Sequence, residues 1–104
     1  MRLGEVESII AEAIQNKNVV EVDYIREEDG ARTCRLMEPF DVAAGRRSRT
    51  GEVKFWGWCQ FHNRIEQKTI PNIISIRPIE QSFDPRLREQ TFSSPPQYRL
   101  PRDW

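Results

Sequence analysis

The chain has 104 residues, a formal net charge of zero, 38% hydrophobic residues and 31% charged residues. This length and composition suit one small domain with a limited core, and they exclude a globally basic surface for nucleic acid. No apolar run approaches the ~20 residues of a membrane helix, and the first residues are too acidic for a signal peptide, so we expect a cytoplasmic protein.

The zero net charge hides an asymmetry along the chain. Residues 1–29 carry eight acidic and three basic residues, whereas residues 30–104 carry eight acidic and thirteen basic ones. Thirteen of the sixteen basic residues are arginines, and arginine binds phosphate and carboxylate in a bidentate manner and stacks on aromatic rings. The pattern is typical of anion recognition, but a solvated surface of mixed charge gives it as well.

The first predicted element is an amphipathic helix over residues 3–17. Its apolar stripe follows the 3.6-residue period, and the residues in it are Val6, Ile9, Ile10, Ala13 and Ile14. Such a stripe needs an apolar partner, which the strands that follow must supply.

A hairpin of two strands is predicted next. Residues 19–26 alternate, with Val20, Val22 and Tyr24 on one face, and the Asp29-Gly30 pair is a strong turn signal. The second strand runs from residue 32 to about residue 42. Pro39 lies in its middle, and because proline cannot donate to a ladder it marks an edge or a bulge.

Three further short strands follow a polar loop at residues 43–52. The third strand is predicted at 53–62, with Phe55, Cys59 and Phe61 facing the core. A turn at residues 63–64 leads to the fourth strand, 65–70, and the fifth spans 73–79 with Ile74 and Ile76 inward. A helix followed by five short strands with tight turns indicates a mainly β fold, a small five-stranded, strongly bent β-barrel.

The C-terminal segment differs in character from the rest. Residues 81–104 are rich in proline, and Asp84-Pro85 predicts the start of a short helix ending near Glu89. Aromatic residues recur along the segment, which is unusual for a disordered tail. We therefore expect a barrel domain at residues 1–80 and a Pro-rich C-terminal extension at 81–104 that docks on the barrel or forms a homodimer.

The two cysteines, Cys34 and Cys59, are expected to be buried thiols, with a disulfide or a zinc site as lesser alternatives. Cys59 and His62 have a ligand-like spacing, but a structural zinc site needs four ligands and only Cys34 remains among the cysteines and histidines. On one continuous strand, residues three apart point to opposite faces, which argues against a nucleophile–base pair. We expect no enzyme activity, no cofactor and no metal.

Residues 6–79 resemble a WYL domain. The resemblance is carried by AEAIQNKNVVEVDYI at the end of the helix and in the first strand, RLMEPFDV in the second strand, FWGWCQFH in the third and KTIPNIISI in the last two. It implies an Sm-like, Src-homology-3-type barrel that acts as a regulatory module, often sensing nucleotides or nucleic acid. In typical members this domain follows a helix-turn-helix domain, whereas only five residues precede the region of resemblance here.

The sequence also departs from the family pattern. Residues 53–55 replace the Trp-Tyr-Leu tripeptide, and Glu66 and Asn72 occupy positions of two arginines that the family uses to contact ligand. Arg35, His62 and Arg64 remain in family-like positions. The resemblance therefore supports the fold more strongly than the usual ligand.

The functional prediction centres on the second face of the third strand. Two indole rings, Trp56 and Trp58, lie there beside basic groups, as in proteins that stack nucleic-acid bases on aromatic side chains. Each stacked base contributes roughly 1–3 kcal/mol to binding. The predicted ligand-binding residues are Arg35, Arg46, Arg47, Arg49, Lys54, Trp56, Trp58, His62 and Arg64. We expect a regulatory module that binds a nucleotide or short single-stranded nucleic acid. The alternative is burial of the rings, with the domain serving protein interaction or homodimerisation through residues 81–104 and no small-molecule ligand.

Overall fold

A computed structural model describes residues 1–44 and 51–104. The elements in chain order are α1 (Leu3–Asn16), β1 (Asn18–Ile25), β2 (Arg32–Ala44), β3 (Val53–Cys59), β4 (Arg64–Thr69), a 3-10 turn (Ile70–Asn72), β5 (Ile73–Ser82) and α2 (Pro85–Glu89). The predicted order of a helix followed by five strands is confirmed. The short second helix also begins where predicted, since the side chain of Asp84 accepts a hydrogen bond from the Arg86 N–H at 3.0 Å.

The five strands form one antiparallel sheet in the order β4-β3-β2-β1-β5. The closed barrel predicted from the sequence is not formed, because β4 and β5 lie at opposite edges and do not pair within the described residues. The sheet still bends so that the end of β1 meets β4 through side chains: the Lys68 ammonium lies 3.9 Å from the Tyr24 ring centroid. The order of the strands could be predicted from the sequence. Whether the sheet closes into a barrel depends on its curvature, which local sequence patterns do not encode.

Helix α1 covers one face of the sheet. Its predicted stripe is buried as expected, with Val6, Ile10 and Ile14 fully inaccessible to solvent. These residues pack with Val22 and Phe55 from the sheet, and burying side chains of this size contributes about 1.5–3 kcal/mol each. This layer is the main core of the domain.

Two irregularities in the sheet change which residues face the core. The register of β2 against β3 shifts between Pro39 and Asp41, so the bulge predicted at the proline is present within a central strand. A second shift lies between Asp23 and Tyr24 in the pairing of β1 with β5. Ile74 falls at that shift and is 41% exposed, so its predicted inward orientation is wrong.

The third strand is shorter than predicted. It ends at Cys59, and residues 60–63 form a turn that closes with Asn63 at a positive φ of 54°. Phe55 and Cys59 are fully buried as predicted, but Phe61 is 67% exposed. The expectation for Phe61 was wrong because the alternation of a strand does not continue through a turn.

The second face of the sheet is covered by the C-terminal segment of the same chain. Phe40 and Phe83 are buried there, and rings of the segment pack against Phe40 and Trp56, with Tyr98 6.3 Å from Phe40 and 6.1 Å from Trp56 between ring centroids. The segment is anchored at Asp41, whose carboxylate is fully buried. The division of the chain at residue 80 remains a prediction, although the two parts pack together.

The anchor combines hydrogen bonds with an ion pair. The Asp41 carboxylate accepts hydrogen bonds from the N–H groups of Arg99 at 2.7 Å and Leu100 at 3.0 Å. Arg102, whose side chain is 4% exposed, lies 3.4 Å from Asp41 and 3.5 Å from the centroid of the Tyr98 ring. A buried charge needs such partners, so the segment is held by specific polar contacts as well as by its rings.

Two remaining expectations concern the cysteines and the membrane. Cys59 is buried but Cys34 is exposed, and both are free thiols, so the expected burial of Cys34 was wrong. No helix in the described parts of the chain is long and apolar enough to span a membrane.

Candidate ligand-binding groove

A groove of about 570 Å³ lies between the end of β1 and β4. One wall comprises the last residues of β1 and the turn that follows, and the other comprises β4. The lining residues are Tyr24, Ile25, Arg26, Glu27, Glu28, Lys54, His62, Arg64, Ile65, Glu66, Gln67, Lys68, Thr69 and Asn72. The volume falls in the range of about 300–1,000 Å³ that is typical of small-molecule sites.

The groove brings together three of the predicted ligand-binding residues, Lys54, His62 and Arg64. It also contains Glu66 and Asn72, which occupy the positions of the two missing family arginines. The groove itself was not predicted from the sequence.

Side-chain hydrogen bonds join the two walls. The Thr69 hydroxyl donates a hydrogen bond to Glu27 Oε1. Asn72 Nδ2 donates to the same oxygen at 3.3 Å. The Lys68 ammonium lies over the Tyr24 ring, as a cation–π contact. These contacts fix the relative position of the two walls.

Glu66 is the most heavily paired carboxylate of the groove. Arg64 Nε donates to its Oε2 at 3.1 Å, Lys68 Nζ donates to its Oε1 at 3.2 Å, and His62 Nδ1 lies 2.7 Å from Oε2. Burial by itself raises the pKa of Glu66, but the hydrogen bonds from Arg64 and Lys68 and the nearby charges of Lys68 and His62 outweigh it, so the pKa lies below its ordinary value. Glu66 is therefore ionised at neutral pH.

The groove carries both signs of charge. Four basic side chains, from Arg26, Lys54, Arg64 and Lys68, line it together with three carboxylates, from Glu27, Glu28 and Glu66. Arg26 is already paired with Asp29, and the Arg64 side chain, although paired with Glu66, is 69% exposed. The Lys54 side chain has no hydrogen bond or ion pair with the described residues, so Lys54 and Arg64 are the cations best placed to meet an anion from solvent.

A thiol, an imidazole and a carboxylate meet at one end of the groove. Cys59 Sγ lies 3.6 Å from His62 Nδ1, and His62 Nδ1 lies 2.7 Å from Glu66 Oε2. The expectation that Cys59 and His62 point to opposite faces was wrong, because β3 ends at Cys59 and the turn folds His62 back over it. The sequence signal for this arrangement was the turn, which was predicted at residues 63–64 but lies at residues 60–63.

The tryptophan face is occupied by the protein itself. Trp56 stacks on Phe40 with the ring centroids 5.7 Å apart and the planes at 8°, and Tyr98 stacks beside both rings. The Arg88 guanidinium lies 4.4 Å from the Trp58 ring centroid and pairs with Glu38 at 2.9 Å. Of the two interpretations left open by the sequence, this geometry favours burial of the rings.

Of the remaining predicted residues, Arg35 lies away from the groove. The Arg35 guanidinium lies 4.1 Å from the Phe61 ring centroid, and Arg35 does not line the groove. Arg46, Arg47 and Arg49 lie outside the described residues. Sequence reasoning missed Lys68 and Tyr24, because Tyr24 looked like a core residue and is indeed only 5% exposed.

The comparisons with known proteins support the fold. The sequence matches no protein-family model and no curated protein sequence. The fold is similar to that of part of proteasome accessory factor B/C (PafBC) of Arthrobacter aurescens, with a TM-score of 0.67 and 15% sequence identity. The match covers 93% of this chain and 14% of that chain, so this chain spans a small part of that protein.

PafBC contains a WYL domain, and the likeness therefore agrees with the WYL-like fold that the sequence motifs predict. At 15% identity the likeness concerns the fold alone. Because 93% of this chain is matched, most of the C-terminal segment is included in it.

Proposed function

We propose that this chain is a regulatory ligand-binding module of the WYL type, and that its ligand is a small anion of mononucleotide size held in the groove between β1 and β4. The observation that carries the proposal is the position of the groove: it is lined by Lys54 and Arg64 and by the positions, Glu66 and Asn72, where the resembling family places ligand-contacting arginines.

The finer fold assignment belongs to the same proposal. The strand order β4-β3-β2-β1-β5, with the end of β1 bent onto β4, is what we expect of an Sm-like barrel that is left open between its two edge strands, β4 and β5.

The mixed charge of the groove suits a nucleotide in particular. Lys54 and Arg64 supply cations for a phosphate group. Glu27 and Glu28 supply acceptors for the hydroxyl groups of a sugar or the amino group of a base. A ligand with charge at one end and hydrogen-bond donors at the other uses both sets of groups.

A short single strand remains the second candidate ligand, through its terminal nucleotide in the groove. The proposal no longer uses Trp56 and Trp58 as a stacking platform, because Tyr98 and Arg88 lie against these rings. The alternative function, which involves no ligand, is homodimerisation through residues 81–104. Because this segment packs on the sheet of its own chain, we expect sedimentation velocity to show a monomer.

Calorimetric titration with mononucleotides at low salt tests the proposal. We expect saturable binding that Arg64→Ala weakens by about tenfold, because loss of one charge-assisted hydrogen bond corresponds to ~1.5 kcal/mol or more. Arg86→Ala is the matched control, since Arg86 is exposed on α2 outside the groove. If no mononucleotide binds, or if both substitutions weaken binding equally, the groove is not the binding site.

A further inference from the structure

The geometry points to a zinc site at the β3–β4 turn, with Cys59 Sγ, His62 Nδ1 and Glu66 Oε2 as the protein ligands. One ligand atom from each of the three residues lies within 4.8 Å of the other two. Thiolate, imidazole and carboxylate are the groups that bind Zn²⁺ in proteins. The inference does not depend on the nucleotide proposed for the groove.

The distance between the first two ligand atoms is close to that of a tetrahedral site. With Zn–S of about 2.3 Å and Zn–N of about 2.0–2.1 Å, the sulfur and nitrogen of such a site lie about 3.5 Å apart. Cys59 Sγ and His62 Nδ1 are 3.6 Å apart. The first two ligands are therefore already at the required separation.

The third ligand needs a small displacement. Nitrogen and oxygen ligands of tetrahedral zinc lie about 3.4 Å apart, whereas His62 Nδ1 and Glu66 Oε2 are 2.7 Å apart. A retreat of the carboxylate oxygen by ~0.7 Å would admit the ion.

The hydrogen bonds that Glu66 accepts have opposite effects on metal binding. Lys68 donates to Oε1, the oxygen of Glu66 that does not face His62, and outer hydrogen bonds of this kind orient a ligating carboxylate. Arg64 Nε donates to Oε2 itself and competes with a metal ion for it. Removing the Arg64 side chain should therefore strengthen metal binding, while it weakens binding of an anion in the groove.

The site has an open position. Three protein ligands with a fourth place left for water are typical of zinc that is accessible to solvent or substrate. Cys59 is fully buried, whereas His62 and Glu66 line the groove, so the fourth ligand would enter from the side of the groove. Since the three ligands come from the end of β3, the turn and β4, the ion would also fix the turn.

Titration of the reduced full-length protein with Co²⁺ tests the site, because a thiolate ligand gives cobalt an intense near-ultraviolet charge-transfer band and tetrahedral coordination gives strong visible bands. We expect both bands at one equivalent of Co²⁺ and their loss when one equivalent of Zn²⁺ is added. Cys34→Ser, which removes the exposed thiol, should leave them unchanged. Cys59→Ser should abolish the charge-transfer band.

Two further variants keep the test decisive if Cys59→Ser fails to fold. His62→Gln changes a partly exposed ring and should lower the Co²⁺ affinity at least about tenfold, and Arg64→Ala should raise the affinity. The inference is overturned if wild-type protein gives no thiolate band, if Cys34→Ser removes the band, or if His62→Gln binds Co²⁺ as tightly as wild type.

Discussion

Single residues determine how the two faces of the sheet are used. Asp41 and Arg102 form a buried pair that joins the C-terminal segment to β2, and burial lowers the pKa of Arg102 from its ordinary value while Asp41 opposes this. Burial also raises the pKa of Tyr98, which donates a hydrogen bond to Glu89. The sequence showed that the segment carries rings, but nothing in it identified Asp41 as their anchor, since an acid in a strand usually faces solvent.

Substitution of Asp41 tests this anchor. We expect Asp41→Ala to lower the free energy of unfolding in urea by about 3–5 kcal/mol, because it leaves the Arg102 charge buried without its partner. Adding Arg102→Met to the first substitution should recover part of the loss. A loss below about 1 kcal/mol, the range of surface pairs, would mean that Asp41 does not hold the segment.

Glu66 gives the stability a defined pH dependence. Since the folded-state pKa of Glu66 lies below its ordinary value of 4.5, its contribution is present above that value and is lost as the pH falls through the folded-state pKa. We expect Glu66→Gln to lower the free energy of unfolding by roughly 1–3 kcal/mol at pH 7. The difference from wild type should shrink towards pH 3.

Urea unfolding at both pH values provides the measurement. Glu80→Gln is the control, since Glu80 is exposed and its side chain has no hydrogen bond or ion pair within residues 1–44 and 51–104. A difference between wild type and Glu66→Gln that stays constant from pH 7 to pH 3 would show that ionisation of Glu66 does not stabilise the fold.

At the scale of elements, the register of β2 against β3 brings the backbones of the two strands into close contact at Gly57. Pro39 pairs with Gly57, and the register shifts beyond it. A Cβ atom added at Gly57 would fall well inside van der Waals contact of the Glu38 carbonyl oxygen. The proline predicted the bulge, but only the paired structure shows why β3 carries a glycine between Trp56 and Trp58.

Alanine at this position tests the close approach of the two strands. Gly57→Ala should lower the free energy of unfolding by about 1–3 kcal/mol, because the contact is with backbone that cannot rotate away. Gly4→Ala is the matched control, since a Cβ at Gly4 meets no atom within 4 Å and alanine favours the helix. Equal melting temperatures for the two variants would contradict the close approach.

For the molecule as a whole, the sequence predicted the elements and their order better than the contacts between distant parts of the chain. Alternation identified Phe55 and Cys59 as core residues, but it failed at Phe61 and Ile74, where a turn and a bulge interrupt the period. The groove depends on the curvature of the sheet and on pairs such as Glu27 with Thr69, which are 42 residues apart. Local patterns carry no information on contacts of that separation.

The central claim is that ligands enter the groove between β1 and β4 and not the aromatic face. Backbone amide chemical shifts followed during a titration with mononucleotides test it most directly. The account predicts shifts at residues 24–28 and 64–69, with Trp56, Trp58 and Tyr98 unaffected. Shifts confined to these three aromatic residues, or no shifts at saturating ligand, would contradict it.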